Sequence, residues 1–252
     1  MASWAWAGAS CRGVSHAKAG TRRQDAFSVF AVRDGSTLVA IVSDGAGSSS
    51  HGGEGASVIC RTFTTSLRSH FATVAEMPTD DDLWGWLDTA RDRIASSADR
   101  LALRLRDFAA TVVITVTDGK DTLVAHVGDG SSVVRSSEAA DWRVTSWPAQ
   151  GQYAATTFFV TDEPEVRMRM VRSDHAIDAV VAFTDGIERL ALDFASETPH
   201  VPFFAKIIVP LEQSGAVGSD RDLSEKLAAY LNSDAINART DDDKTLVLAV
   251  LR

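Results

Sequence analysis

The residues in this chain whose type and spacing suggest chemistry are aspartates at the ends of apolar runs. Five Asp-Gly dipeptides occur, and their flanks divide them into two kinds. Asp34-Gly35 and Asp118-Gly119 sit midway between β-prone segments, where a turn accounts for them. Asp44, Asp129 and Asp185 instead follow the apolar runs VAIVS, LVAHVG and VVAFT. Any one of these is compatible with a solvated turn, but three at buried strand ends can meet in a compact fold. Asp25 joins them by symmetry. A hairpin folded about Asp34-Gly35 sets Phe27 opposite Val42, Val29 opposite Ala40, Ala31 opposite Leu38, and Asp25 opposite Asp44. Opposed like charges destabilise a sheet, and carboxylates at the margin of a core need compensation. A divalent cation would provide it. On the hairpin alone, a strand cap at one aspartate and a turn at the other explain the pair equally well.

The acidic run Asp241-Asp242-Asp243 immediately precedes the apolar segment KTLVLAVL. It reads either as a solvated loop or as the source of one more ligand for the same cluster. Carboxylates with a backbone carbonyl and water, without nearby Cys or clustered His, suit Mg²⁺ or Mn²⁺ and not Zn²⁺. Carboxylate bridging of two such ions ~3.5–4 Å apart is a recurring means of hydrolysing phosphate esters.

These aspartates must be positioned by a fold of ordinary size. The 252 residues, 45% of them hydrophobic, suffice for one large domain over 1–252, with no repeat or linker. A net charge of −9 argues against nucleic acid or an anionic membrane surface as the main partner. No apolar run is long enough to span a bilayer, and MASWAWAGAS has neither a basic start nor a sustained apolar core, so an unprocessed cytoplasmic protein is expected. Cys11 and Cys60 are too few for a disulfide framework, and Cys60 reads as a buried, inert thiol.

Periodicity places an edge strand within 1–24, the hairpin over 26–43, both of its strands covered on both faces, and a loop over Gly45–Gly55. A helix follows from Ala56 to about Phe71. A second, capped by Thr79 with Asp82, runs to about Asp107. Strand patterns then dominate, with 136–165 less regular, FFAKIIVP ambiguous, and a late helix carrying Leu223, Leu227 and Leu231. Strand runs, two helices, more strands and a late helix do not alternate as a parallel sheet would, which points to α+β. Gly45-Ala46-Gly47 after a strand superficially suits a dinucleotide site, but Ser50 stands where the third Gly belongs, and that reading is rejected.

The ordered set RRQDAF, VSDGAGS, HVGDGSSVVR, AFTDGI and DDDKTLVLAV resembles the metal-dependent, type 2C serine/threonine protein phosphatases, in particular a bacterial branch. The resemblance implies a four-layer αββα sandwich of two antiparallel sheets flanked by helices. It implies two Mn²⁺ or Mg²⁺ ions, with a third, weaker site. Carried over, Asp44 would bridge the two metals, Gly45 would offer its carbonyl to one, and Asp185 and Asp242 would bind the other. Asp25 would hold a metal-bound water, and Asp129 would serve the third site. The implied chemistry is attack on the phosphorus of phosphoserine or phosphothreonine by a metal-bridging hydroxide. Phosphorylated proteins would be the substrates, with a cognate Ser/Thr kinase as counterpart.

Several positions depart from that pattern. Gln24 replaces a Glu, and Asp243 takes the place of an Asn. Ala46 stands where animal members carry a His that protonates the leaving group, with His51 nearby as a surface alternative. Gly20 stands where many members have the arginine that grips phosphate, leaving His16, Lys18, Arg22 and Arg23 as candidates, of which His16 and Arg22 are put forward. Gly130 replaces a Ser, and Arg135 is too far along to stand in for the Arg that follows it. The segment 136–165 corresponds to a variable flap. The rival reading is a catalytically weak member acting as a metal-stabilised binding or regulatory module.

Overall fold

A computed structural model describes residues 2–148 and 157–252. The hairpin forms from Ala26–Val32 (β2) and Thr37–Ser43 (β3), with Phe27 facing Val42, Val29 facing Ala40 and Ala31 facing Leu38. The register is the expected one, but the turn is not centred on Asp34-Gly35. Arg33 and Asp34 both adopt left-handed angles (φ 54° and 55°), and the Gly35 N–H donates to the Val32 carbonyl at 3.1 Å. The tight turn therefore lies one residue earlier, within a four-residue connection that preserves the pairing. Only β3 is covered on both faces. β2 is an edge strand, so most of its residues stay half-buried.

The first sheet is antiparallel, in the order β2, β3, Val112–Thr117 (β4), Thr122–Val127 (β5) and Arg169–Ser173 (β8). The second runs Gly218–Ser219, Trp4–Cys11 (β1), the C-terminal strand Lys244–Leu251, Ile177–Phe183 (β9), Ser131–Ser136 (β6) and Trp142–Ser146 (β7). Its long strands are antiparallel, and only the short Gly218–Ser219 piece joins β1 in parallel.

Alternation along each strand sends one row of side chains to a helix layer and the other to the facing sheet. Helices Gly52–Thr73 and Asp80–Leu101 set Phe63, Leu67, Leu87 and Ile94 against Val39, Ile41 and Ile114. On the opposite side, Ile187, Phe204 and Leu227 pack on Val181, Leu246 and Leu248. Small residues, including Ala40, Val42, Val113, Ala182 and Val247, fill the space between the sheets. The result is the αββα sandwich.

Element limits differ in three places. The first helix starts at Gly52, inside the anticipated loop. The second stops at Leu101, where Ala102 turns left-handed (φ 54°), and a separate 3₁₀ turn, Leu105–Phe108, brings Phe108 into the core. FFAKIIVP resolves to helix, with Val201–Ile207 entered through Pro202. The Thr79–Asp82 capping box is present. Part of the expected flap, 149–156, lies outside the described residues.

The registers decide where the chemistry collects. Phe183 lies opposite Leu246 on one side and Ser131 on the other, while Cys11 lies opposite Lys244. In the other sheet Ala26 is opposite Ser43, Val42 opposite Val113, and Val112 opposite Val127. The segments 24–25, 44–45, 128–130, 184–185 and 241–243 therefore leave both sheets at one end. Because Phe63 is fully buried between helix and sheet, Phe63→Ala should cost about 3–5 kcal/mol in denaturant unfolding. Trp84→Ala, at an exposed site, should cost less than about 1 kcal/mol in the same assay.

Candidate metal centre

Asp44 follows β3 directly, and its backbone is clamped to the start of β4: its N–H donates to Thr111 Oγ1 (3.1 Å) and its carbonyl accepts from the Thr111 N–H (2.8 Å). Gly45 then passes so close to the helix Gly52–Thr73 that a Cβ would sit 2.2 Å from the Gly52 carbonyl carbon, so only glycine fits. The Gln24 side-chain amide, oriented to satisfy its neighbours, donates to the carbonyls of Gly45 (2.8 Å) and Ala46 (3.2 Å). A carbonyl has two lone pairs, so Gly45 retains one.

Asp129 sits between Gly128 (φ 93°) and Gly130 (φ 80°), both in the left-handed region. Its Oδ2 accepts from Thr157 Oγ1 at 2.7 Å. His126 in β5 steadies this turn. It is fully buried, burial pushes its pKa down to about 3, and its Nε2 lies 3.3 Å from the Asp129 carbonyl while Nδ1 faces Ser146 Oγ (2.8 Å). Asp185 opens the helix Asp185–Ala191. Three residues on, on the same face, Glu188 accepts the Gly130 N–H at 2.6 Å and joins the two loops.

Asp44, Asp129 and Asp185 each offer a carboxylate oxygen, all within 4.8 Å of one another. Asp25 abuts them from the buried side. Its Oδ2 accepts from Thr184 Oγ1 (2.7 Å) and Thr245 Oγ1 (2.6 Å), whereas its Oδ1 and Asp129 Oδ1 are buried without any hydrogen-bond partner. Buried orphan oxygens in an all-oxygen donor set fit a hard divalent cation. The titration behaviour agrees. Burial, and then the charges of Asp25 and Asp185, hold the Asp44 carboxyl well above its usual range; burial, and then Asp129 and Asp242, do the same to Asp185. Burial pushes Asp25 up to about 6 and, with the Asp129 charge, pushes Glu188 up to about 7.

Other anticipated residues separate. Asp242 lies outside the 4.8 Å group; its side chain is 46% exposed, and its Oδ1 accepts from the Asp243 N–H (2.8 Å). Asp243 is buried and structural. Its Oδ1 accepts from Gly13 N–H (2.6 Å), and its Oδ2 from the N–H groups of Gln24 and Asp25. His16 stands between the two acids, with Nε2 3.7 Å from Asp242 and Nδ1 3.1 Å from Asp243, the latter out of line for a hydrogen bond. Arg23 is spent on the Asp25 and Ser10 carbonyls, while Arg22 and Lys18 are exposed. Arg135 pairs with Asp178 and Glu212. His51 contacts Ser50 and the Phe108 ring, and Ala46 is buried. Cys60 is a buried thiol pushed up to about 12 by burial.

Sequence reasoning missed Glu188, His126 and the anchoring role of Asp243. Glu188 was legible, since it lies three residues from Asp185 on a helix. The partners of Asp243 are more than 200 residues away and left no local signal.

Both Asp243 oxygens accept from backbone N–H groups, so an amide NH₂ would face donors. Asp243→Asn should lower unfolding free energy by about 1–3 kcal/mol, measured in denaturant. A carboxyl that keeps its proton to about pH 6 or 7 when folded, but releases it near 3.8 or 4.5 when unfolded, favours the fold at low pH; that contribution disappears as the pH rises through the folded value. In EDTA, the contribution of Asp25 and Glu188 should fall between about pH 4 and pH 7, so wild type loses midpoint temperature over that window relative to Asp25→Asn/Glu188→Gln in thermal scans. Mn²⁺ should raise the wild-type midpoint more at about pH 7.5 than at about pH 5, where protons compete for the carboxylates.

Comparison with known proteins agrees with this geometry. The family model for protein phosphatase 2C matches residues 12–232. Serine/threonine-protein phosphatase 3 of Escherichia coli (strain K12) is 38% identical over 254 residues, covering 98% of both chains. Among solved structures, the serine/threonine phosphatase Stp1 from Staphylococcus aureus superposes with a TM-score of 0.65 at 16% identity, over 98% of this chain and 94% of that one. The catalytic domain of the serine threonine protein phosphatase PstP, solved with 2 manganese ions, gives 0.65 at 14% identity over 100% and 99%. These two show a shared fold. A family model matched across most of the sequence and a relative aligned almost end to end at more than a third identity place this chain in the protein phosphatase 2C family.

Proposed function

We propose that the chain, as a single domain over 1–252, is a Mn²⁺- or Mg²⁺-dependent phosphatase that hydrolyses phosphoserine and phosphothreonine in proteins. The observation that carries this reading is the convergence of the Asp44, Asp129 and Asp185 carboxylates beside the orphaned Asp25 oxygen. Two ions held there would lower the pKa of water and offset charge on the phosphoryl oxygens. In this reading Asp44 would help hold both ions and the Gly45 carbonyl would serve one. Asp185 and Asp242 would serve the other. Asp25, tied on one oxygen to Thr184 and Thr245, has only Oδ1 to offer, which suits a ligand that acts through water. Asp129 serves a third, weaker ion.

His16, engaged with Asp242 and Asp243, orients the acidic loop, and Arg22, exposed like Lys18, is put forward as the cation for substrate phosphate. Ala46 offers no proton, so the leaving alkoxide takes one from water. Relationship to Ser/Thr phosphatases supports protein substrates and a kinase that supplies them. Among the described residues no helix is long and apolar enough to cross a membrane. The two free, buried cysteines fit a cytoplasmic location.

Purified protein should hydrolyse p-nitrophenyl phosphate with added Mn²⁺ and lose the activity in EDTA. Asp44→Ala and Asp185→Ala should each reduce kcat by at least about 10³-fold, the scale at which loss of charge stabilisation in the transition state is felt. Clean wild-type protein without Mn²⁺-dependent turnover would leave the binding-module reading in its place.

A further inference from the structure

Beside the carboxylate cluster lies a polar cleft of about 230 Å³, whose walls include Asp185, Arg189, Arg239, Thr240, Asp241 and Asp242. Its two cations come from separate elements. Arg189 lies one turn beyond Asp185 on the helix Asp185–Ala191, and so on the same face. Arg239 follows the short helix Asp234–Asn237 and leads into the acidic loop. Both side chains are exposed, and neither takes part in any ion pair found among the described residues, although Asp241 and Asp242 line the same space. Two guanidinium groups held at one cleft and unspent on neighbouring carboxylates are available to an external anion.

We propose that Arg189 and Arg239 form a specificity subsite that receives an acidic side chain of the phosphopeptide substrate, close in sequence to the phosphorylated residue. The inference rests on the phosphatase reading of the adjoining cluster. Asp185 borders both the cluster and the cleft, so a peptide with its phosphoester at the former runs past the latter. The cleft is large enough for one Asp or Glu side chain with some solvent. Without metal, three carboxylates outweigh the two arginines. A divalent cation held by the adjoining carboxylates would reverse that balance, so the cleft would attract anions in the metal-loaded protein. Arg189 and Arg239 are specificity residues here, acting on a part of the substrate that does not react.

The test uses Mn²⁺-loaded full-length protein and three phosphoserine peptides that differ only in flanking residues: Glu, Gln or Lys. Wild type should prefer the Glu peptide over the Gln peptide by about tenfold in kcat/KM, carried by KM, with the preference shrinking as salt rises from ~0.05 to ~0.5 M. In Arg189→Ala/Arg239→Ala the two peptides should converge, and in Arg189→Glu/Arg239→Glu the Lys peptide should become the better one. Fluorescence anisotropy with a non-hydrolysable phosphonate version of each peptide should give the same order of affinities. An unchanged Glu-over-Gln ratio in the double Ala variant overturns the proposal. So does an equal loss on all three peptides, which would mean that the arginines grip the reacting phosphate. Absence of wild-type p-nitrophenyl phosphate turnover would sink the phosphatase reading on its own, and anisotropy would still report on the cleft.

Discussion

Mutual repulsion among carboxylates at the mouth of the sandwich is the constraint to which the rest of the structure answers. Asp25, Asp44, Asp129 and Asp185 are crowded where burial already disfavours their charged forms. No Lys or Arg makes an ion pair with any of these four among the described residues, so the protein leaves the strain for a bound cation to relieve. Such an arrangement persists only if the surrounding backbone is over-determined. Glycines at 45, 128, 130 and 186 allow loops to pass where any Cβ would collide with neighbouring backbone or side chains, and the strand registers fix where each loop begins.

Hydroxyl and backbone contacts hold the acids without neutralising them. Thr184 and Thr245 hydroxyls grip one oxygen of Asp25, Thr157 grips one oxygen of Asp129, and each acid keeps its other oxygen free. Behind them Asp243 gathers three backbone N–H groups from the 13 and 24–25 loops, a role that requires a carboxylate with two accepting oxygens. His126, buried and neutral, links β5 to the Asp129 turn and to Ser146 in the opposite sheet. The layers on either side are apolar and closely packed, so the sheets have little freedom to spread in response to the charge between their ends.

By itself the sequence determined the opening hairpin, the two long helices in outline and the three acids that converge. Symmetry about the Asp34-Gly35 signal specified a hairpin register correct at the three apolar pairs, Phe27 with Val42, Val29 with Ala40 and Ala31 with Leu38, because a short turn between two β-prone runs fixes which residues face each other. Ending a buried apolar run in Asp-Gly separated Asp44, Asp129 and Asp185 from the ordinary turn at Asp118, and those three are the ones that converge. What tertiary structure alone decided depends on partners distant in the chain. It split Asp242, half-exposed, from Asp243, buried under donors more than 200 residues away, although the two read alike as members of one acidic run. It also left Arg189 and Arg239 facing one cleft from different elements, where spacing along the chain carries no information about their proximity. Local pattern encodes which face of an element is buried. Which charges share a solvent-poor space is set by how strands from both ends of the chain are paired, and that is a property of the assembled sheets.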